Sequence, residues 1–130
     1  MIVLTIKTDS EMSEIGIYDG EDQLAYKKWQ AHRNLAKTIL TVIDELLKES
    51  KIKKTDIDGI VFYKGPGSFT GLRIGATVAN TMAMAVPTQV VGEAGHNWIA
   101  NGVGRLLKGK NEEIVQIEYG GEANITKPRK

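Results

Sequence analysis

No cysteine occurs among the 130 residues, which excludes disulfides and thiolate metal sites and fits a reducing compartment. Long apolar runs are missing too: nothing approaches the roughly 20 consecutive apolar residues that a membrane helix needs. The aliphatic opening, residues 2–6, is too short for a signal segment and is interrupted by Lys7. A cytoplasmic location without a membrane partner is the expectation. Net charge is nearly absent, 17 basic residues against 16 acidic for a formal +1, so no bulk field draws in nucleic acid. Local basic spots at Lys51, Lys53 and Lys54, and at Lys127, Arg129 and Lys130, read as solvated surface. The two histidines, His32 and His96, lie far apart in sequence and lack the helical spacing of a metal-binding pair.

What remains is an ordinary globular composition, 42% apolar and 25% charged, in a length that suits one domain. Residues 2–6 read as a buried strand. Ile15 and Ile17 alternate with polar or small residues, Asp19-Gly20 is a turn signal, and residues 24–29 return as the second arm of a hairpin. A helix is expected over residues 33–50. Its apolar rows, Leu35, Ile39, Val42, Leu46 and Ala36, Leu40, Ile43, Leu47, span about 160°, wider than the roughly 100° needed to cover a sheet. Residues 60–63 form a short strand, residues 71–86 a second helix stopped by Pro87, and residues 88–91 another strand. Between Ile74 and Gly92 there is no charged residue, and Gly71, Gly75, Ala76, Ala79 and Ala83 are small. This helix is therefore expected to be covered on both sides, by its own sheet and by a second helix surface. Trp98, Ile99, Val103, Leu106 and Leu107 give a third helical pattern, weakened by Gly102 and Gly104. Residues 113–119 read as a last strand or extended arm, and 111–130 as a short C-terminal arm or tail behind a single lobe over 1–110.

Three antiparallel strands continued by two parallel ones, through right-handed crossovers, make a mixed five-stranded sheet with helices on both faces. That is an α/β arrangement of the ribonuclease H-like type, shared by the lobes of actin-like ATPases.

Between the fourth strand and the second helix lies a glycine-rich loop. A strand leading through glycines into a helix N-terminus can cradle an anion, yet this one lacks the Lys-Ser/Thr ending of a P-loop and the dinucleotide glycine spacing. On the residues alone, Gly65 and Gly67 serve a tight turn, Ser68 or Thr70 caps the helix, and a small ATP- or phosphate-binding protein using the Gly65–Gly71 loop stays open as an alternative. Ser68 is not in a G-x-S-x-G elbow, so a serine hydrolase gains no support. A two-metal nuclease needs carboxylates at strand ends that carry Lys7 and Lys64 instead.

The run Gly65, Pro66, Gly67, Ser68, Phe69, Thr70, Gly71, Leu72, Arg73, Ile74, Gly75 resembles the signature loop of the TsaB family, G-P-G-S-F-T-G-[LV]-R-I-G, at every position. The first helix and the three-strand opening are similar to that family as well. So is the tail over 119–128, with Tyr119 and the Ile125, Thr126, Lys127, Pro128 ending. Most of the family's second lobe has no counterpart in this sequence.

The resemblance implies a non-catalytic scaffold in making N6-threonylcarbamoyladenosine at position 37 of tRNA. It implies docking of a TsaD-like catalytic subunit through the first two helices, with a TsaE-like ATPase joining and tRNA met only indirectly. ATP and metal are then expected in the partner subunits, with no cofactor, metal or catalytic residue in this chain. The implied partner-binding residues are Leu35, Ile39, Val42, Leu46, Ile74, Ala76, Ala79, Asn80 and Ala83. The same surfaces are expected to pair as a homodimer when the chain is alone, with Arg73 as an anchor for loop or partner. Actin-like ATPases end their first strand in a metal-positioning aspartate. Lys7 stands there, followed by Asp9 about 7 Å further along the strand, and a lysine does not hold magnesium.

Overall fold

The computed structural model describes residues 1–117, and His32 only through its backbone. The tail resemblance over 119–128 and the basic residues Lys127, Arg129 and Lys130 lie outside the described residues.

The chain opens with β1 (Ile2–Lys7), β2 (Met12–Asp19) and β3 (Asp22–Gln30). A single 3₁₀ turn, His32–Asn34, leads into α1 (Leu35–Ser50), and β4 (Gly59–Tyr63), α2 (Phe69–Ala85), β5 (Gln89–Glu93) and α3 (Trp98–Leu107) follow. The strands form one sheet in the order β3-β2-β1-β4-β5. The β1–β2 and β2–β3 pairs are antiparallel, and the β1–β4 and β4–β5 pairs are parallel. The fold is the mixed five-stranded α/β sheet that the alternation of patterns implies. Gly20, at φ +64°, takes the turn between β2 and β3 in a conformation that side chains resist.

Side-chain alternation along each strand sorts the core into two layers. Leu4, Ile6, Ile15, Ile17, Ile60, Phe62 and Val90 point to the face covered by α1 and α2. Val3, Tyr18, Val61 and Val91 point to the other, covered by α3 through Trp98, Val103 and Leu106. The α1 band is wider than one face because both of its rows contribute: Leu35, Ile39, Val42, Ile43, Leu46 and Leu47 are buried. Leu40 is left 54% exposed. The helix ends on Lys51, which sits at φ 59° in the left-handed region, and the Ile52 N–H reaches back to the Leu47 carbonyl over 2.9 Å.

The two glycines of α3 differ in purpose. A β-carbon at Gly102 would run into Val61 of β4, so its absence lets the helix lie close on the sheet, whereas one at Gly104 would meet nothing. Of the two readings of residues 113–119, strand or extended arm, the strand does not form over the described residues 113–117. Its backbone is bonded instead to a side chain: Val115 N–H donates to Asn80 Oδ1 (2.8 Å), and Asn80 Nδ2 donates to the Val115 carbonyl (3.3 Å). Just before it, Asn111 Oδ1 accepts from Val90 N–H (3.0 Å), Glu112 Oε2 accepts from Gly92 N–H (2.9 Å), and Glu112 N–H donates to the Val90 carbonyl (2.8 Å). Arg105 of α3 fastens this strap, with Nη1 at 2.8 Å from Glu93 and 2.9 Å from Glu112. Those two carboxylates raise the guanidinium pKa still further.

Candidate functional site: the signature loop and the face of the first two helices

The Gly65–Pro66 peptide is cis and Gly65 has φ +112°, so the positive φ that the turn requires falls on Gly65 rather than on Gly67. The remaining glycines of the motif, 67, 71 and 75, recur every four residues and lie along one seam against the connection leaving β1. A β-carbon on Gly67 would stand 2.5 Å from Asp9 Cβ and 2.7 Å from the Asp9 carbonyl. On Gly71 it would strike the Thr8 carbonyl, and on Gly75 it would strike Thr8 Oγ1, with Phe62 Cε1 at 2.9 Å. Hydrogen bonds lock the seam: Ser68 N–H to the Asp9 carbonyl (2.8 Å) and Thr8 Oγ1 to the Gly71 carbonyl (2.8 Å). The glycines thus admit the chain's own backbone, which fills the space that a phosphate cradle at Gly67 and Gly71 would need.

Helix capping departs from expectation. Ser68 precedes the helix but makes no side-chain bond to it, and no acidic residue stands in its first turn. Leu72 N–H bonds the Ser68 carbonyl (2.9 Å). Arg73 lies on the exposed side, its guanidinium carbon 5.3 Å from the Phe69 ring centroid, a cation–π contact that ties the arginine to the loop end of its own helix.

Most of the residues expected to meet a partner belong to the chain's own core. Leu35, Ile39, Val42, Leu46, Ala76, Ala79 and Ala83 are buried under α1 and α2, with Ala79 at 0% exposure. Asn80 is committed to Val115. Small residues in α2 let the helix approach the sheet of its own lobe. Ile74 stays half-buried and lines, with Ala36, Leu40, Phe69, Thr77 and Val78, an open apolar groove of about 410 Å³ between α1 and α2. Sequence reasoning recognised the surplus of apolar side chains on α1 and missed which of them are surplus: Ala36 and Leu40, the pair one turn apart on the flank facing α2.

At the C-terminal end of β1, Lys7 Nζ is 2.7 Å from Asp9 Oδ1 and 4.6 Å from the centroid of Tyr63, which meets Trp98 edge-on at 5.6 Å. Asp9 lies two residues beyond Lys7, past the end of the strand, but the long lysine chain spans the gap. The carboxylate nearest the position of the ATPase aspartate is thereby neutralised, and these residues do not fit a magnesium–nucleotide site. His96 lines the same hollow with Lys7 and Trp98 and is exposed.

Comparison with known proteins returns one family consistently. The sequence model of the family described as "TsaD: tRNA N6-adenosine threonylcarbamoyltransferase" matches residues 29–119. The chain is 34% identical over 92 residues to the tRNA threonylcarbamoyladenosine biosynthesis protein TsaB of Haemophilus influenzae, covering 70% of this chain and 38% of that protein. It is 28% identical over 133 residues to the protein of the same name from Escherichia coli, covering 95% and 57% respectively. The structure of YeaZ from Pseudomonas aeruginosa superimposes with a TM-score of 0.67 at 27% identity, over 72% of this chain and 43% of that one. The chain thus spans about half the length of the curated relatives it matches.

Proposed function

The chain belongs to the TsaB branch of the TsaD family, and on that footing we propose that it is a non-catalytic docking subunit for tRNA threonylcarbamoyladenosine biosynthesis. It seats a TsaD-like catalytic subunit on the groove between α1 and α2. A TsaE-like ATPase joins the assembly, ATP and metal are handled by the partner subunits, and tRNA is met through them.

The observation that carries this reading is the groove itself. Leu40 is 54% exposed and Phe69 45%, side by side with Ala36, Ile74 and Val78 on a wall without acidic residues. Burying a Leu-sized side chain is favourable by about 1.5–3 kcal/mol, so a lobe that leaves two large apolar groups open on adjacent helices gains by covering them. The Lys7–Asp9 pair supports the non-catalytic half of the proposal, because the metal-binding position of an ATPase lobe is held by a cation.

Co-purification with the TsaD protein of the same organism tests it. Wild-type chain should co-elute as a heterodimer and the Leu40→Glu variant should not. Co-elution that survives Leu40→Glu would move the interface elsewhere, and absence of any complex with wild type would remove the reading.

A further inference from the structure

We propose a second site, adjoining the docking groove and sharing Thr70 and Ile74 with its wall: a pocket for a small oxyanion at the N-terminus of α2. The helix runs for 17 residues and begins without a side-chain cap and without an acidic residue in its first turn. Its first amides have no carbonyl partner within the helix, and its dipole favours negative charge there.

That end opens into a cavity of about 340 Å³ lined by Ser68, Thr70 and Gly71 of α2, by Ser10 and Ser13, and by Arg33. Ser13 supplies the independent observation. Its side chain is 0% exposed, it lines this cavity, and its Oγ is the buried side-chain polar atom without a hydrogen-bond partner among the described residues. A buried hydroxyl left unpaired costs about 1–3 kcal/mol, and β2 would place an apolar residue there at no cost, as it does at Ile15 and Ile17 on the same face. The hydroxyl is therefore read as a donor waiting for an acceptor. Glu11 also stands in the wall, but it is not without a partner. The helix amides and the Arg33 guanidinium can only donate and the hydroxyls can donate, so with the Glu11 carboxylate already engaged the wall favours a phosphate- or carboxylate-type oxyanion. This site is distinct from the glycine cradle, whose space Thr8 and Asp9 occupy.

Amide chemical shifts of the full chain, titrated with inorganic phosphate and separately with acetate against a chloride control of equal ionic strength, test the site. Saturable shifts at Ser13, Thr70 and Gly71 are expected with at least one oxyanion and not with chloride. The phosphate arm alone responding identifies a tetrahedral ligand; acetate responding identifies a carboxylate. Ser13→Ala, which removes an atom that holds no bond, should fold with an unchanged or higher melting temperature and bind about tenfold more weakly. Arg33→Gln should weaken binding similarly. No saturable shift with either anion, or identical titrations of wild type and both variants, would overturn the proposal.

Discussion

Thr8 and Gly71 meet twice: the threonine hydroxyl donates to the glycine carbonyl over 2.8 Å, and the threonine carbonyl lies where a side chain at Gly71 would begin. A motif that suggests ligand binding is, at this position, the joint between the first strand and the second helix. Gly71→Ala should therefore cost about 1–3 kcal/mol, as overpacking against backbone does. Thr8→Val should cost about 1 kcal/mol by removing the hydrogen bond that ties the exit of β1 to α2. Chemical denaturation of both variants checks this; a Gly71→Ala protein with wild-type stability would mean the seam yields without strain.

Two glycines two residues apart in α3 should respond oppositely. Gly104→Ala adds a β-carbon in open space and should stabilise by about 0.5–1 kcal/mol through helix propensity. Gly102→Ala drives the same atom into Val61 and should destabilise by about 1–3 kcal/mol. Paired thermal melts are sufficient, and equal shifts would contradict the close approach of α3 to β4.

Lys51 ends α1 in a left-handed conformation, φ 59°, which costs an ordinary residue about 1–2 kcal/mol and glycine almost nothing. Lys51→Gly should raise stability by about 1 kcal/mol. A melting temperature unchanged or lowered would show that the lysine side chain returns more than its backbone costs.

The helix face can be divided by charge insertion. Ala79→Arg places a guanidinium in a position of 0% exposure and should unfold the lobe, whereas Leu40→Glu places a carboxylate at a position already 54% exposed and should leave the melting temperature within a few degrees. Circular dichroism of the two isolated variants reads the difference directly. A folded Ala79→Arg protein would return α2 to the list of external faces.

Much of the fold was legible because strand alternation, helix rows and the Asp19-Gly20 turn all act over a few neighbouring residues. The face of α2 was misjudged for a physical reason: lack of charge and small side chains signal close approach, but not what is approached. At Ala79 and Ala83 the neighbour is the chain's own sheet. Beyond Arg73 the open side of that helix is uncharged yet carries polar residues, with Thr77 and Thr81 exposed. The Asn80–Val115 pairing joins residues 35 apart through a side-chain amide, and no periodicity announces such a bond. The Lys7–Asp9 contact was hidden by counting backbone rise alone, when the lysine side chain closes that distance. Ser13 carried no signal: a serine in an alternating strand is common, and only its burial without a partner distinguishes it.

The strap over β5 has a consequence for how copies of this chain can associate. Outer-edge backbone groups of Val90 and Gly92 are already bonded to Asn111 and Glu112, so a foreign strand arriving there finds its hydrogen bonds taken. The opposite border, β3, presents Lys28 to any approaching copy, Lys27 being paired with Glu45 of α1, and like charges brought into register repel. Fibril-like growth by strand addition is thus discouraged at both borders of the sheet, one by occupancy and the other by charge, and a crowded solution of this protein is steered toward contacts made by helices.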